Sequence, residues 1–197
     1  MSLVSNSDRN EAALEFLKTR RSRPGKTLTT PVPSQDALRE LLNIAARTPD
    51  HGKLEPWRFI VLERPALERV AALIPPLGAK HGIAEDKIAG NMLHYGSSHL
   101  AVAVISSPKI SDKIPEIEQI YSAGAVCLAL LNAALAAGWG ANWLSGWSSH
   151  YPEFGRDAFN LSPSEKIAGI IHIGTAPHTP PDRPRPDLEQ ITEWMSE

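Results

Sequence analysis

Arg20, Arg21 and Ser22 stand directly after a run whose apolar residues, Ala13, Leu14, Phe16 and Leu17, follow helical spacing. Arg20 lies four residues after Phe16 and seven after Ala13, while Arg21 lies four after Leu17 and seven after Leu14. On a helix these spacings put both guanidinium groups on or beside the apolar face. A cation there is costly unless an anion meets it, and the planar fork of Arg suits phosphate. The run reads as two Arg forks and a hydroxyl aimed at a phosphate-bearing ligand. The alternative is a frayed helix end whose Arg side chains reach water or cap carbonyls. A second basic pair, Arg183 and Arg185, alternates along the Pro-rich segment 176–186, APHTPPDRPRP. In an extended chain the two point the same way and make a second phosphate clamp.

Other chemistries find little support. The seven His residues show no HxxxH or HExxH spacing, so no metal site is expected. Gly138-Trp139-Gly140 approaches a dinucleotide fingerprint but has Trp143 at its third position and leads from helix into strand. Ser145 lies in WLSGW, which lacks the first Gly of a nucleophile elbow. No pair of carboxylates stands out as an acid and base. The lone Cys127 sits in an apolar run and reads as an inert core thiol. A formal net charge of −2 gives no reason to expect a nucleic-acid or membrane partner. Residues 1–10 are polar and lack the apolar stretch of a signal peptide, which points to a cytoplasmic protein.

The elements that must position these residues are mixed. Helices are expected over 10–20, 34–47 with Ser34 as N-cap, 65–75, 84–95, 116–138, 152–159 and 187–195. Strands are expected over Trp57–Glu63, Leu100–Ile105, 140–145 and Ile167–Ile173. From Ala123 to Ala137 nearly every residue is apolar or small on all faces, with Asn132 interrupting. Such a helix is buried all round, most simply beneath a second subunit, which predicts an apolar homodimer interface; a large monomeric core is the alternative. The 197 residues divide into a flexible N-terminus, 1–9, and one domain, 10–197. Within that domain, 176–197 forms a stiff arm packed across the body and ending in a docked helix. Trp139, Trp143 and Trp147 recur every four residues; most are expected in the core, with Trp147 facing the pocket.

One further segment, Thr48-Pro49-Asp50-His51-Gly52-Lys53-Leu54-Glu55-Pro56-Trp57, follows a helix and feeds a strand. Together with Arg20-Arg21-Ser22, the Trp139–Gly146 segment and the Arg183-Pro184-Arg185-Pro186 tail, it makes the chain resemble the nitroreductase family over about residues 10–195. It looks most like the small bacterial branch carrying Pro-Asp-His before Gln-Pro-Trp. The resemblance implies an α+β fold with a mixed or antiparallel sheet flanked by helices, and a homodimer with FMN at the subunit interface. It implies that Arg20, Arg21 and Ser22 hold the FMN phosphate and ribityl chain, completed by Arg183 and Arg185. Arg47, His51 and Lys53 then reach the flavin from the other subunit, and Trp143, Leu144 and Ser145 line its ring.

The implied activity is hydride transfer from NAD(P)H to FMN and on to a nitroaromatic, a quinone or another electron-poor small molecule, in ping-pong order. Lys53 is the residue expected to stabilise negative charge near N1 and O2 of the reduced ring, with His51 second. Other flavin reactions on the same fold (fragmentation, dehalogenation, dehydrogenation) and a non-catalytic flavin- or partner-binding protein are the alternatives. The chain departs from the family pattern at Glu55, where Gln is usual, at Lys53, often Asn, and at Pro24-Gly25. The expected reading of Glu55 is a bias of the pocket against anionic acceptors, or else a surface carboxylate or a partner of Lys53. Residues 76–95 are the only stretch long enough for a lid, so an open site is expected.

Overall fold

A computed structural model describes residues 9–197. The expected flexible N-terminus, apart from Arg9, lies outside the described residues. The chain runs α1 (Glu11–Thr19), α2 (Gln35–Ala45), β1 (Trp57–Glu63), α3 (Arg64–Ala72), α4 (Ile74–Lys80), α5 (Glu85–Gly96), β2 (Leu100–Ser106), α6 (Glu116–Ala136), β3 (Gly140–Leu144), α7 (Pro152–Phe159), β4 (Lys166–Gly174) and α8 (Leu188–Ile191). The α+β class stands, and the four-stranded sheet, ordered β1-β2-β4-β3, is antiparallel throughout.

The central strands β2 and β4 carry near-continuous apolar runs because both their faces are covered. Val102, Val104, Ile171 and Ile173 point to the face packed by α2 and α6. Ala101, Ala103, Ile105 and Ile170 point to the opposite face, packed by α3, α4, α5 and α7. Cys127 is fully buried in the first layer, and burial pushes its thiol up to about 12, as expected of an inert core residue.

Ser34 caps α2 as expected, its hydroxyl accepting from the Ala37 N–H at 3.3 Å. The helix expected over 65–75 divides instead. Leu73 closes α3, and Pro75 and Pro76 occupy the first turn of α4, where a missing N–H costs nothing. Helix α6 is long and apolar enough to cross a membrane by length and composition, but half of it is buried against α2, β2, β3 and β4, so it is a core helix here. It is not buried all round within one chain. Ile117, Tyr121, Ala125 and Leu128 form an exposed stripe, with Tyr121 at 68%.

Helix α1 departs from expectation as well. None of its residues is buried, and Leu17 is 58% exposed, so the apolar face that Arg20 and Arg21 extend is not covered by the chain itself. The terminal helix corrects a third expectation. Instead of a docked 187–195 there is one turn, Leu188–Ile191, and Leu188, Ile191, Trp194 and Met195 are all exposed. Too few residues follow the prolines to offset the cost of helix nucleation without packing.

Candidate functional site

Helix α1 ends where Arg20 turns into extended backbone, its N–H still donating to Phe16 O at 2.8 Å. The next residues run along the free edge of β3: Arg23 N–H donates to Ala141 O at 2.8 Å, and Asn142 Nδ2 donates to Arg23 O at 2.7 Å. Gly25 then lies so close to Leu144 that a Cβ there would sit 3.1 Å from its side chain. Arg20, Arg21 and Ser22 are thereby held beside the strand that ends in Trp143, Leu144 and Ser145.

The arm returns to the same place. Arg21 donates to Pro181 O, and Arg185 Nη2 donates to Lys18 O at 2.9 Å, tying the Pro-rich segment across the end of α1. Arg20, Arg21, Ser22, Arg183 and Arg185 consequently line one groove of about 750 Å³ with Leu17 and Lys18. The arm rests on that helix end, not across the body of the domain. Asp182 sits among these cations 3.0 Å from Arg185, whose guanidinium holds its carboxyl below the usual carboxylate range. Arg23 adds a cation that helical spacing does not single out. It lines an adjoining space of about 290 Å³ with Arg20, Arg21, Trp139 and His178. Arg20 Nε and Arg23 Nη1 are buried yet have no hydrogen-bond partner among the described residues. A buried guanidinium N–H without an acceptor is costly, so the local donor set fits an anion.

The ring-lining candidates differ among themselves. Trp143 is 36% exposed and packs against Gly169, where a Cβ would come within 2.0 Å of its Nε1. Ser145 and Gly146 continue from β3 into a turn, with Gly146 at φ +72°. Trp147 does not face the pocket: its Nε1 donates to Lys87 O at 3.1 Å and its ring meets Tyr151 edge-on. It packs against the core of the second layer, so Trp143 is the exposed aromatic.

Arg47, His51 and Lys53 are all exposed and lie elsewhere. Their loop is anchored to the N-terminal half of α6. His51 Nδ1 pairs with Glu118 at 2.7 Å, Ser122 Oγ donates to Pro49 O at 2.9 Å, and Trp57 Nε1 donates to Ser122 Oγ at 3.2 Å. Asp50 Oδ1 accepts from Leu54 N–H at 2.6 Å, tightening a turn in which Gly52, Lys53 and Glu55 all have positive φ, at +75°, +55° and +47°. Two non-glycine residues in that region store backbone strain, a feature concentrated at functional sites. Glu55 is an exposed carboxylate with no ion pair to Lys53 among the described residues. The groove of Arg20 and Arg21 lies by Leu135 and Trp139, at the other end of α6. From Glu118 to Leu135 a helix rises about 25 Å at 1.5 Å per residue.

A profile described as Nitroreductase family matches residues 17–175. This chain belongs to the nitroreductase family. A Haemophilus influenzae protein described as a candidate NAD(P)H nitroreductase is 34% identical over 166 residues, 83% of this chain and 88% of that protein. The Escherichia coli K12 protein YdjA, described in the same words, is 34% identical over 164 residues, 83% of this chain and 87% of its own length. Among solved structures, a nitroreductase-like family protein from Bacillus cereus superposes with a TM-score of 0.77 at 24% identity, covering 96% of this chain and 98% of its own. A candidate nitroreductase from Desulfovibrio desulfuricans in complex with FMN superposes at 0.71 with 21% identity, covering 96% of this chain and 100% of that one. These neighbours share the nitroreductase fold.

Proposed function

We propose that this nitroreductase is an FMN-dependent oxidoreductase that works as a homodimer, takes hydride from NAD(P)H and passes it to an electron-poor small molecule such as a quinone or nitroaromatic. The observation that carries the reading is the convergence of Arg20, Arg21, Ser22, Arg183 and Arg185, drawn from two ends of the chain, on one groove. Charge-assisted bonds from several Arg forks suit a phosphate dianion, and the buried, unpartnered Nε of Arg20 is consistent with one. The FMN-bound nitroreductase that shares the fold, and the relatives described as NAD(P)H nitroreductases, support the choice of cofactor and donor.

Bound FMN would supply the two-electron chemistry; the residues of this chain hold, orient and polarise it. The Arg groove fixes the phosphate end. The strand Trp143–Ser145, alongside Arg23–Gly25, offers the flat, partly apolar wall that a ring needs. Lys53 and His51 would bring positive charge to the ring, but the loop that carries them lies at the far end of α6 in the same chain. A twofold partner whose α6 crosses antiparallel would bring its own loop to this groove. The exposed stripe of Ile117, Tyr121, Ala125 and Leu128 is an apolar surface that such a contact would bury against its own copy. Residues 10–197 would then be one domain whose site is completed only by its copy.

The test is an absorbance spectrum of the purified protein, a titration with FMN, and anaerobic addition of NADH or NADPH. Flavin that bleaches with a nicotinamide donor and recovers with a quinone is expected. A protein that takes up no added FMN overturns the reading of the Arg groove. Flavin that stays oxidised overturns the nicotinamide donor.

A further inference from the structure

Directly behind the turn that follows Ser145 lies a cluster of buried polar groups with no part in the phosphate groove. Asn91 and Tyr95 come from α5, His172 from β4, and Ser148 from the turn itself, and their exposures are 3%, 1%, 1% and 0%. Asn91 Nδ2, Tyr95 Oη, Ser148 Oγ and His172 Nε2 all lack a hydrogen-bond partner among the described residues. Each such group costs about 1–3 kcal/mol when left bare, so apolar side chains of the same size would make a more stable core. The cluster therefore asks for a ligand.

Its hydrogen-bonding pattern says which. Ser98 Oγ donates its only proton to Leu100 O at 3.2 Å, so at 2.9 Å from His172 Nδ1 it must accept. His172 consequently carries its proton on Nδ1 and presents Nε2 as an acceptor. Burial pushes the imidazole down to about 3 and the Tyr95 phenol up to about 12, so the ring is neutral and the phenol stays a donor at ordinary pH. The Tyr95 and His172 rings meet edge-on at 6.1 Å, and Ser148 and Ser149 come near the Tyr95 hydroxyl without reaching hydrogen-bond geometry. Asn91 Nδ2, Tyr95 Oη and Ser148 Oγ can donate and His172 Nε2 can accept, a set that matches one or two water molecules making about three bonds each.

The same cluster grips the turn. Asn91 Oδ1 accepts from Ser148 N–H at 3.3 Å, and Trp147 is pinned to Lys87 O one helical turn earlier. Gly146, at φ +72°, packs so closely on the Asn91 amide that a Cβ would come within 2.5 Å of Nδ2. Only glycine can make this approach, so the backbone of Ser145–Ser148 is moulded to α5.

We propose that Asn91, Tyr95, Ser148 and His172 form an internal water site on α5 that positions the Ser145–Ser148 turn, and through it the Trp143–Ser145 segment that would line the flavin ring. The inference rests on the flavin reading above. Helix α5, within the stretch expected as a lid, is thus a fixed support behind the ring wall.

The test compares wild type with Asn91→Leu, an apolar replacement of similar size, and Tyr95→Phe, which removes one hydroxyl and keeps the packing. A high-resolution crystal structure of wild type is expected to show ordered water bonded to His172 Nε2 and Tyr95 Oη. A dry cluster overturns the water site. Asn91→Leu is expected to bind FMN within about threefold of wild type, because the Arg groove is untouched. Its flavin visible bands should shift and its reduction equilibrium change by about tenfold. Tyr95→Phe should move both in the same direction by less, and it answers the question if Asn91→Leu does not fold. FMN bound by both variants with wild-type spectrum and potential overturns the positioning role and leaves the flavin reading standing. Failure of the wild type to bind FMN overturns the reading beneath it.

Discussion

The two ends of α6 carry opposite kinds of candidate site. At its C-terminal end the chain gathers Arg20, Arg21, Arg23, Arg183 and Arg185 around adjoining spaces, the first three half-buried and Arg20 and Arg23 with unpartnered N–H donors. At its N-terminal end, Arg47, His51 and Lys53 are exposed on a strained loop. The first is a cradle lined by guanidinium groups; the second presents its charged groups to solvent. About 25 Å of helix separates them, more than any side chain spans. The difference is what the proposed dimer accounts for: two complementary halves on one chain, with the exposed stripe between them as the surface a copy would cover.

The most disruptive change should be at that stripe. Replacing Tyr121 and Leu128 together by Asp puts each charge into a twofold contact twice and removes apolar burial of about 1.5–3 kcal/mol per large side chain. Sedimentation should show a dimer weakened by about a thousandfold or more, with flavin chemistry lost although every Arg remains. A variant that stays dimeric, or a monomer that keeps full FMN reduction by NAD(P)H, would break the comparison.

The Arg cradle should come next. Charge-assisted hydrogen bonds contribute about 1.5–3 kcal/mol each, so Arg20→Ala with Arg21→Ala should weaken FMN at least about 100-fold while the dimer persists. Fluorescence titration with FMN and with riboflavin separates the phosphate from the ring. An equal loss for both ligands would mean that these Arg residues do not read phosphate.

Lys53→Met should act on potential instead of affinity. Two charges 4 Å apart near a protein surface interact by about 4 kcal/mol, and an exposed loop lysine would realise a fraction of that. A shift of about tenfold in the reduction equilibrium, with FMN affinity nearly unchanged, is expected from anaerobic redox titration. An unchanged potential would remove Lys53 from the ring.

The smallest effect on the site should come from a pair belonging to neither end. Glu165 makes a two-point contact with Arg58, at 2.6 and 3.1 Å, and the hydrogen bonds from Arg58 hold its carboxyl down to about 2. A carboxylate with a lowered folded-state pKa contributes stability that is complete above its unfolded value, about 4.3, and is lost as pH falls towards 2. Glu165→Gln should flatten part of the fall in melting temperature between about pH 4.5 and 2, measured by calorimetry, and leave FMN binding at pH 7 unchanged. A loss of FMN would tie this pair to the site.

Much of this was readable before any coordinates. The strand Trp57–Glu63 and the helix 152–159 appear with the residues expected of them, and apart from the helices expected over 65–75 and 187–195 the other bounds differ by one or two residues, because the apolar periodicities that mark them are local. Other features depended on what lay opposite. Periodicity could not show that Pro75 and Pro76 would open a new helix instead of ending an old one. Trp147 looked like a pocket residue by spacing and is a core residue because Lys87 and Tyr151 meet it. The terminal helix had the right composition but no surface to rest on. Asn91, Tyr95 and His172 carry no motif, since a network spread over a helix, a strand and a turn leaves no fixed spacing in sequence.

What the sequence alone determined is the chemistry available: paired guanidinium groups on two segments, a Gly-spaced aromatic strand, a cationic loop and an apolar helix. Residue type and local period suffice for that, because charge, hydrogen-bonding capacity and amphipathicity are properties of a short stretch of chain. What only the tertiary structure decided is which of these meet. The arm joins the first Arg cluster because extended segments 160 residues apart cross at the end of α1. The loop of Lys53 is kept from them because a rigid 21-residue helix lies between. Proximity across such separations depends on how the two layers pack on the sheet, and no spacing along the chain encodes it.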